Sequence, residues 1–359
     1  MNKDIDDLYS IKKNKFNNLK IENIKDCLYN IEFLKKSNPN KTNYNYKNDD
    51  VFLFFPNNQD NFKNFKKSFF HCICMLYNLL FIYLSKKLDK KIVIPFFSEK
   101  HFSLQFIKLF INNYKIILIK DLNNIYNFKS ITELNEIRKD IEPLKYKIII
   151  NRVNRDLFKK LKSFKFKIKK HNKILINRNN KNTLVEDDRL FDNYEESVNL
   201  IKKIHPDTLL FEPSNYSLIE QIYLIHNCKL LICDWGSSLT NMLWLKQYDS
   251  RNINEEKSKC ICIIHPWMCY FHNRNEFTIY GKKSYIWKEI DFIRIYTNTF
   301  YKNKILYYYD KNLKKYIKSI YINKFEGNVK DKNNKNNDDY KYIIRIKDLR
   351  AELRNIKII

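Results

Sequence analysis

The sequence predicts an α/β protein of two lobes, each built on a parallel sheet. Its 359 residues are long for one core and natural for two units of roughly 100–200 residues each. Short apolar runs alternate with amphipathic segments, which is the pattern of parallel βαβ units. The alternation breaks at a basic stretch around Lys165 to Lys173 and then restarts. Hydrophobic residues make up 44% and aromatics 15%, enough apolar surface for real cores, so disorder of the whole chain is excluded.

Residues 1–50, rich in Lys, Asn and Asp, read as a lead-in, helical or loosely ordered. A first lobe over 51–165 opens with VFLFFP at 51–56, a buried strand ended by Pro. A long helix over 61–88 follows, then the strand KIVIPFF at 91–97, the helix SEKHFSLQFIKLFI at 98–111 and the strand YKIILIK at 114–120. ITELNEIRKDI reads as a helix, YKIIIN at 146–151 as a strand and RDLFKKLKSF as a helix. The second lobe, over 166–300, is more regular. HNKILINR at 171–178 is a strand, NYEESVNLIKKI at 193–204 a helix and DTLLFEP at 207–213 a strand. SLIEQIYLIHNC at 217–228 opens on Ser217 with Glu220 three residues on, a capping-box signature. KLLICD at 229–234 is a strand, SLTNMLWLKQ a helix and KCICIIHP at 259–266 a strand. Residues 301–359 hold aromatic strand-like pieces, a polar spacer at 330–339 and a last helix, IKDLRAELRNI.

The formal net charge is +27. Lys, Asn, Ile, Tyr and Phe, the residues of AT-rich codons, dominate the chain, so compositional drift accounts for much of that charge. The basic residues are spread along the sequence and not gathered into the stripe a nucleic-acid footprint requires. The expectation is therefore no nucleic acid, with anionic partners of other kinds: sugar nucleotides, lipid phosphates or an acidic membrane face. Eight Cys occur without a C-x-x-C pair, and most lie in apolar runs, as buried free thiols of a reducing compartment would. The first residues, MNKDIDDLYSIKKNKFNN, show no apolar h-region. SFFHCICMLYNLLFIYLS at 68–85 carries His71 and Asn78 and barely reaches bilayer length, so a buried core helix is expected there.

Chemistry concentrates in one loop. The chain has three Gly, and Gly236 falls between an apolar strand and a helix, where a Cβ would block a tight turn or a close ligand. Ser237 and Ser238 follow at a helix N-terminus, where unpaired N–H groups and the macrodipole favour an anion. Thr240 and Asn241 lie in the first turn. An ordinary helix cap has the same bare pattern. The loop's place at the carboxyl end of a strand in a doubly wound sheet is, however, where such sheets bind ligands.

The stretch LLICDWGSSLTNMLWL resembles the signature of glycosyltransferase family 61, in which a strand runs into H-G-A-G-L-T-N and a helix. EPSNYSLIEQIYLIHNCKLLI is similar to that family's E-P, S-x-x-E-Q, apolar helix and strand. ILINR, with Arg189 and Asn193, resembles its strand–Arg, Arg and Asn pattern. DNFKNF at 60–65 and NDDYKYIIRIKDLRAEL near the C-terminus resemble further family motifs. The departures are Trp235 where the family has His, Ser237–Ser238 for its small pair, and Asn64 for the His of the N-terminal motif. The resemblance implies a GT-B-like arrangement, two Rossmann-like lobes with parallel sheets facing a cleft, inversion at the anomeric carbon and no obligatory metal. It implies no cofactor beyond a nucleotide-sugar co-substrate, and a glycan or lipid-linked saccharide as acceptor, on the cytoplasmic side and peripheral to the inner membrane face.

Within that frame, leaving-group charge must be met by fixed donors and cations. Arg178 at a strand end is the first cation candidate, its planar fork suiting phosphate oxygens, and Arg189 is the second. Gly236, Ser237 and Ser238 would supply N–H donors, with Thr240 and Asn241 behind them, and Glu212 would accept from the nucleoside ribose. The general base is sought among Asp60, Asp234 and His71, with Asp60 and Asp234 ahead because a helical His71 reads as a core residue. A non-catalytic relative that binds glycan or sugar nucleotide is the competing reading, since His is lost at both motif positions; a basic nucleic-acid-binding protein is the third.

Overall fold

Apolar runs of strand length become the inner strands of two separate sheets in the computed structural model. It describes residues 9–14, 43–54, 69–85, 87–119, 125–137, 143–177, 191–234, 237–246, 258–264, 293–301, 304–310, 315–318 and 340–356. The chain divides into two units, Met1–Lys165 and Phe166–Ile359.

In the first unit, β1 (Tyr9–Asn14), β2 (Asn43–Leu53), β3 (Lys91–Pro95), β4 (Ile116–Ile119) and β5 (Ile125–Ile137) form one sheet in the order β1-β5-β2-β3-β4. The β5-β2-β3-β4 pairings are parallel, and β1 is antiparallel on β5. Parallel strands covered on both faces read as continuous apolar runs, and Ile92, Val93 and Ile94 of β3 are fully buried. Among the described residues three helices accompany this sheet: α1 (Phe69–Ser85), α2 (Phe102–Lys108) and α3 (Pro143–Leu161). α1 is the expected core helix, with Cys72, Ile73, Leu76, Leu80 and Ile82 inaccessible to solvent. Two of its buried polar groups are satisfied internally: Tyr77 Oη donates to Asn154 Oδ1 on α3 at 2.5 Å, and Asn78 Nδ2 to the Cys74 carbonyl at 2.9 Å. Among the described residues no helix is long and apolar enough to cross a membrane.

Three local readings of the sequence change. The lead-in contains strand β1 and most of β2. ITELNEI, read as a helix, is the second half of β5; Ile131 pairs with Val51 of β2 on one side and Asn14 of β1 on the other, so pairing on both edges overrides a helix-like apolar spacing. YKIIIN, read as a strand, is one turn of α3. Pro143 stands at the helix start, where its missing N–H costs nothing. Buried Ile149, Ile150, Val153, Leu157, Phe158 and Leu161 then continue at helical spacing, so the Ile run belongs to a longer period.

In the second unit the order is β6 (Lys173–Ile176), α4 (Tyr194–Ile204), β7 (Leu209–Phe211), α5 (Leu218–Asn227), β8 (Leu230–Asp234) and β9 (Lys259–Ile264). β10 (Ile293–Tyr301), β11 (Lys304–Asp310), β12 (Lys315–Lys318), β13 (Tyr340–Ile344) and α6 (Ile346–Asn355) follow. The sheet runs β12-β11-β10-β9-β8-β6-β7, with β13 on β10. β7-β6-β8-β9-β10 are parallel, and β11, β12 and β13 are added antiparallel. One core joins the sheet to the chain's end: Leu175, Leu230, Ile232, Ile261 and Ile263 pack with Phe191 and Ile201 and with Leu349, Leu353 and Ile356 of the tail. On α5 the expected capping box is present, Glu220 Oε2 accepting from the Ser217 N–H at 2.9 Å.

The end of α1 carries a residue in an unfavourable backbone region. Lys87 has φ 48°. Its N–H donates to Leu84 O at 3.4 Å and the Leu88 N–H to Tyr83 O at 3.1 Å, the two bonds of a Schellman motif, whose left-handed position suits Gly. Lys87→Gly should stabilise the protein by about 0.5–1 kcal/mol, read as a higher urea midpoint with unchanged slope; a lower midpoint contradicts this account. The thiols give a second expectation. Burial pushes Cys72, Cys228 and Cys260 up from the ordinary thiol range, and Cys233 Sγ lies 4.0 Å from Cys260 Sγ, about twice a disulfide length. These four should react with a thiol reagent at neutral pH only on unfolding; mass spectrometry of alkylated native protein tests it, and rapid labelling of any of the four contradicts it.

Candidate functional site

The parallel strands of the second unit fix where a site can form. From β6 the chain runs out to β7 on one side, then returns to β8 on the other. In an open α/β sheet the crevice between two strands whose connections diverge lies at their carboxyl ends. Here those ends are Ile176–Asn177 on β6 and Asp234 on β8, with Phe211–Glu212 of β7 on the far side of β6.

Around the β6 and β7 ends the polar side chains form a chain of hydrogen bonds. Asn177 Nδ2 donates to Glu212 Oε1 at 3.1 Å, and Asn215 Nδ2 to Glu212 Oε2 at 3.3 Å. Tyr194 Oη donates to Asn177 Oδ1 at 3.0 Å, and the Asn177 N–H to the Phe211 carbonyl at 2.8 Å. The Glu212 carboxylate is thus oriented by two amides, and Asn177 by the helix that follows it. Glu212 is half-buried, so its orientation is set before any ligand arrives, which is the condition for low reorganisation on binding.

Tyr194 is held in turn by the tail. Asn193 stands at the N-cap of α4, yet its side chain makes no cap bond. Instead Asn193 Nδ2 donates to Ile344 O and Asn193 Oδ1 accepts from the Ile344 N–H, both at 2.8 Å. One amide so replaces a strand partner for the last residue of β13. Glu195 and Glu196 in the first turn complement the helix dipole in place of the cap.

On the β8 side, Ser238 Oγ lies 2.8 Å from both the Asp234 carbonyl and Asp234 Oδ1, so its one proton is committed to Asp234. Asn241 Nδ2 donates to the Ser238 carbonyl at 2.8 Å. These bonds tie the start of the segment at Ser237 back to the end of β8. Thr240 and Asn241 are 0% and 2% exposed, and Thr240 Oγ1 and Asn241 Oδ1 find no hydrogen-bond partner among the described residues. Two buried oxygens without donors, each costing about 1–3 kcal/mol, thus lie within the first residues of the segment that follows β8.

The segment after the loop differs from expectation. Ser237–Trp244 is a 3-10 helix. Leu239, Met242, Leu243, Trp244 and Leu245 are all inaccessible, so this piece passes through the interior, where no single apolar stripe imposes the 3.6-residue period. Its far end is tied to α5, His226 Nδ1 lying 3.2 Å from the Trp244 carbonyl.

Of the residues singled out in the sequence, Glu212 and Asp234 stand at the carboxyl ends of parallel strands of one sheet, Ser238 is tied to Asp234, and Thr240 and Asn241 lie buried in the segment that follows. Ser237 begins the 3-10 helix and its side chain lies outside the described residues, as do Asp60, Arg178, Arg189, Gly236 and the His71 side chain. Asn177, Tyr194 and Asn215 were missed. The only signal for Asn177 was its polarity directly after the apolar KILI; Tyr194 and Asn215 carry none that is local.

Tyr194→Phe removes the donor to Asn177 and should destabilise the protein by about 1 kcal/mol. Asn193→Ala leaves both Ile344 backbone groups unpaired and should cost about 2–3 kcal/mol, with hydrogen exchange rising first over residues 340–356. Protection there that survives Asn193→Ala would refute the tail's attachment through this amide.

Comparison with protein families matches residues 6–250, more than half of the chain, to the model described as glycosyltransferase 61. Comparison with curated proteins gives no match.

Proposed function

The chain belongs to the glycosyltransferase 61 family, and on that premise we propose an inverting, metal-independent transfer of a sugar from a nucleotide-sugar donor to a glycan or lipid-linked saccharide acceptor, in surface or capsular polysaccharide assembly on the cytoplasmic side. The observation that carries the donor site is the divergence of β7 and β8 about β6, which sets Asn177, Glu212 and Asp234 along one carboxyl edge. A GT-B-like pairing of two lobes belongs to the same proposal.

Charge accumulates on the leaving nucleoside diphosphate as the glycosidic bond breaks. Arg178, the residue after Asn177, and Arg189 supply the cations, and the N–H groups of Gly236, Ser237 and Ser238 the fixed donors. Glu212, oriented by Asn177 and Asn215, accepts from the ribose hydroxyls. Thr240 and Asn241 act from below, Asn241 holding the Ser238 carbonyl. The acceptor hydroxyl loses its proton to Asp60 or Asp234; engagement of Asp234 by Ser238 in holding the loop favours Asp60.

Saturation-transfer NMR with a panel of UDP- and GDP-sugars tests the reading. At least one donor should bind and be slowly hydrolysed, and Arg178→Ala should lower kcat/KM on the order of a hundredfold. A panel that neither binds nor turns over removes it. Trp235 and Asn64 at positions where the family has His support a second reading, a non-catalytic binder; transfer activity that Gly236→Trp abolishes in a folded protein excludes that alternative.

A further inference from the structure

The turn that carries Glu212 meets α5 at a side chain outside the crevice network. After β7 the chain makes one short 3-10 turn, Pro213–Asn215, and enters α5 through Ser217. The turn's own backbone bonds are few. The Asn215 N–H donates to the Glu212 carbonyl at 3.0 Å, and the Tyr216 N–H to the Pro213 carbonyl at 3.2 Å. Bonds of this kind have poorer geometry than those of an α-helix, and Ser214 and Asn215 are exposed.

Gln221 closes the turn from the helix. Its Nε2 donates to the Pro213 carbonyl at 2.8 Å and to the Tyr216 carbonyl at 3.0 Å. Carbonyls only accept, so the end of the side chain that faces them is the amide nitrogen, with both protons committed. The side chain stands on a fixed support. Leu218, Ile222 and Ile225 of α5 are buried, and the capping box of Ser217 and Glu220 holds the helix start. From the other direction the Tyr216 ring stacks on buried Phe211, with centroids 5.0 Å apart.

The two clamped carbonyls flank a hydrogen-bonded pair. Glu212 directly precedes Pro213, Asn215 directly precedes Tyr216, and Asn215 Nδ2 donates to Glu212 Oε2 at 3.3 Å. That bond is long, so a small drift of either backbone breaks it. We propose that Gln221 is a positioning residue for the nucleotide-sugar donor: by clamping the Pro213 and Tyr216 carbonyls it holds the Glu212 carboxylate in place for the ribose hydroxyls. This role rests on the reading of Glu212 as the group that meets the ribose. In a nucleotide sugar the diphosphate separates the ribose from the bond that breaks. The ribose contact is therefore equal in ground and transition states, and its loss weakens donor binding without slowing the bound complex.

Gln221→Met keeps the side-chain length and loses both donors. Native-state hydrogen exchange should quicken at the Asn215 and Tyr216 amides while residues 222–225 stay protected. With a donor that the wild type uses, KM should rise on the order of tenfold and kcat should stay within about twofold. Gln221→Glu, equal in shape and without a donor at neutral pH, should show the same pattern. In a Glu212→Ala background Gln221→Met should raise KM less than about twofold, because the group through which Gln221 acts is gone. Asn227→Ala removes another amide-to-carbonyl bond, to Tyr223 at 2.8 Å, from the far end of α5 and should leave KM as in the wild type. Unchanged exchange at Asn215 and Tyr216 overturns the clamp itself. An unchanged KM, a full effect in the Glu212→Ala background or an equal loss in Asn227→Ala overturns the positioning role and leaves the donor-site reading standing. A wild type that binds no donor overturns that reading, and the positioning role falls with it.

Discussion

β6 is four residues long, and the second unit depends on its being paired on both edges. Its Ile174, Leu175 and Ile176 face Leu209–Phe211 on one side, and Lys173–Leu175 face Leu230–Ile232 on the other. A strand so short can hold its register only if both faces and both edges are filled, and the three apolar residues are at most 3% exposed. That double pairing makes the connections to β7 and β8 diverge, so the crevice at the β6 terminus follows from topology before any catalytic residue is considered.

The tail extends the same constraint outward. Leu349, Leu353 and Ile356 share a core with Leu175 and Leu230, while Asn193 pairs with Ile344. The next residue, Tyr194, bonds Asn177 at the β6 terminus. A segment some 150 residues downstream in sequence thus helps orient the side chains of the crevice through one amide and one phenol. Nothing in the tail's composition announces that role. Asn193 looks like an ordinary N-cap, and only the observed absence of a cap bond reveals that its side chain has another partner.

That contrast shows what a sequence read alone can give. The second unit was legible almost element by element, because KILI, LLF and LLICD are short apolar runs between amphipathic helices and each belongs to a parallel strand. In the first unit YKIIIN misled, since three Ile in a row suit a strand and a buried helical turn equally until Val153 and Leu157 are counted. ITELNEI misled in the opposite sense: its pairing partners, β1 and β2, lie far away in sequence. For the site, the strand-to-loop junctions at Glu212 and Asp234 were visible. The Asn177–Tyr194–Glu212 network was not, because hydrogen bonds between residues 17 and 35 positions apart leave no periodic trace.

Lys87 also bears on the reading of Gly236. At the end of α1 this chain places Lys at φ 48°, where a Cβ is unfavourable by about 1–2 kcal/mol, and the Schellman bonds form around it all the same. Turn geometry alone is therefore met here without Gly, in a chain that has only three. A Gly directly after β8, at the edge where Glu212 and Asn177 are already oriented, answers to a different demand. The absence of a Cβ matters most where something must come close to the backbone. Downstream in the chain, Thr240 and Asn241 are buried, each with an oxygen that finds no partner among the described residues. The proposed diphosphate contact therefore rests on the position of Gly236 in the sequence, between an apolar strand and a segment that begins with Ser237, where backbone N–H groups suit an anion.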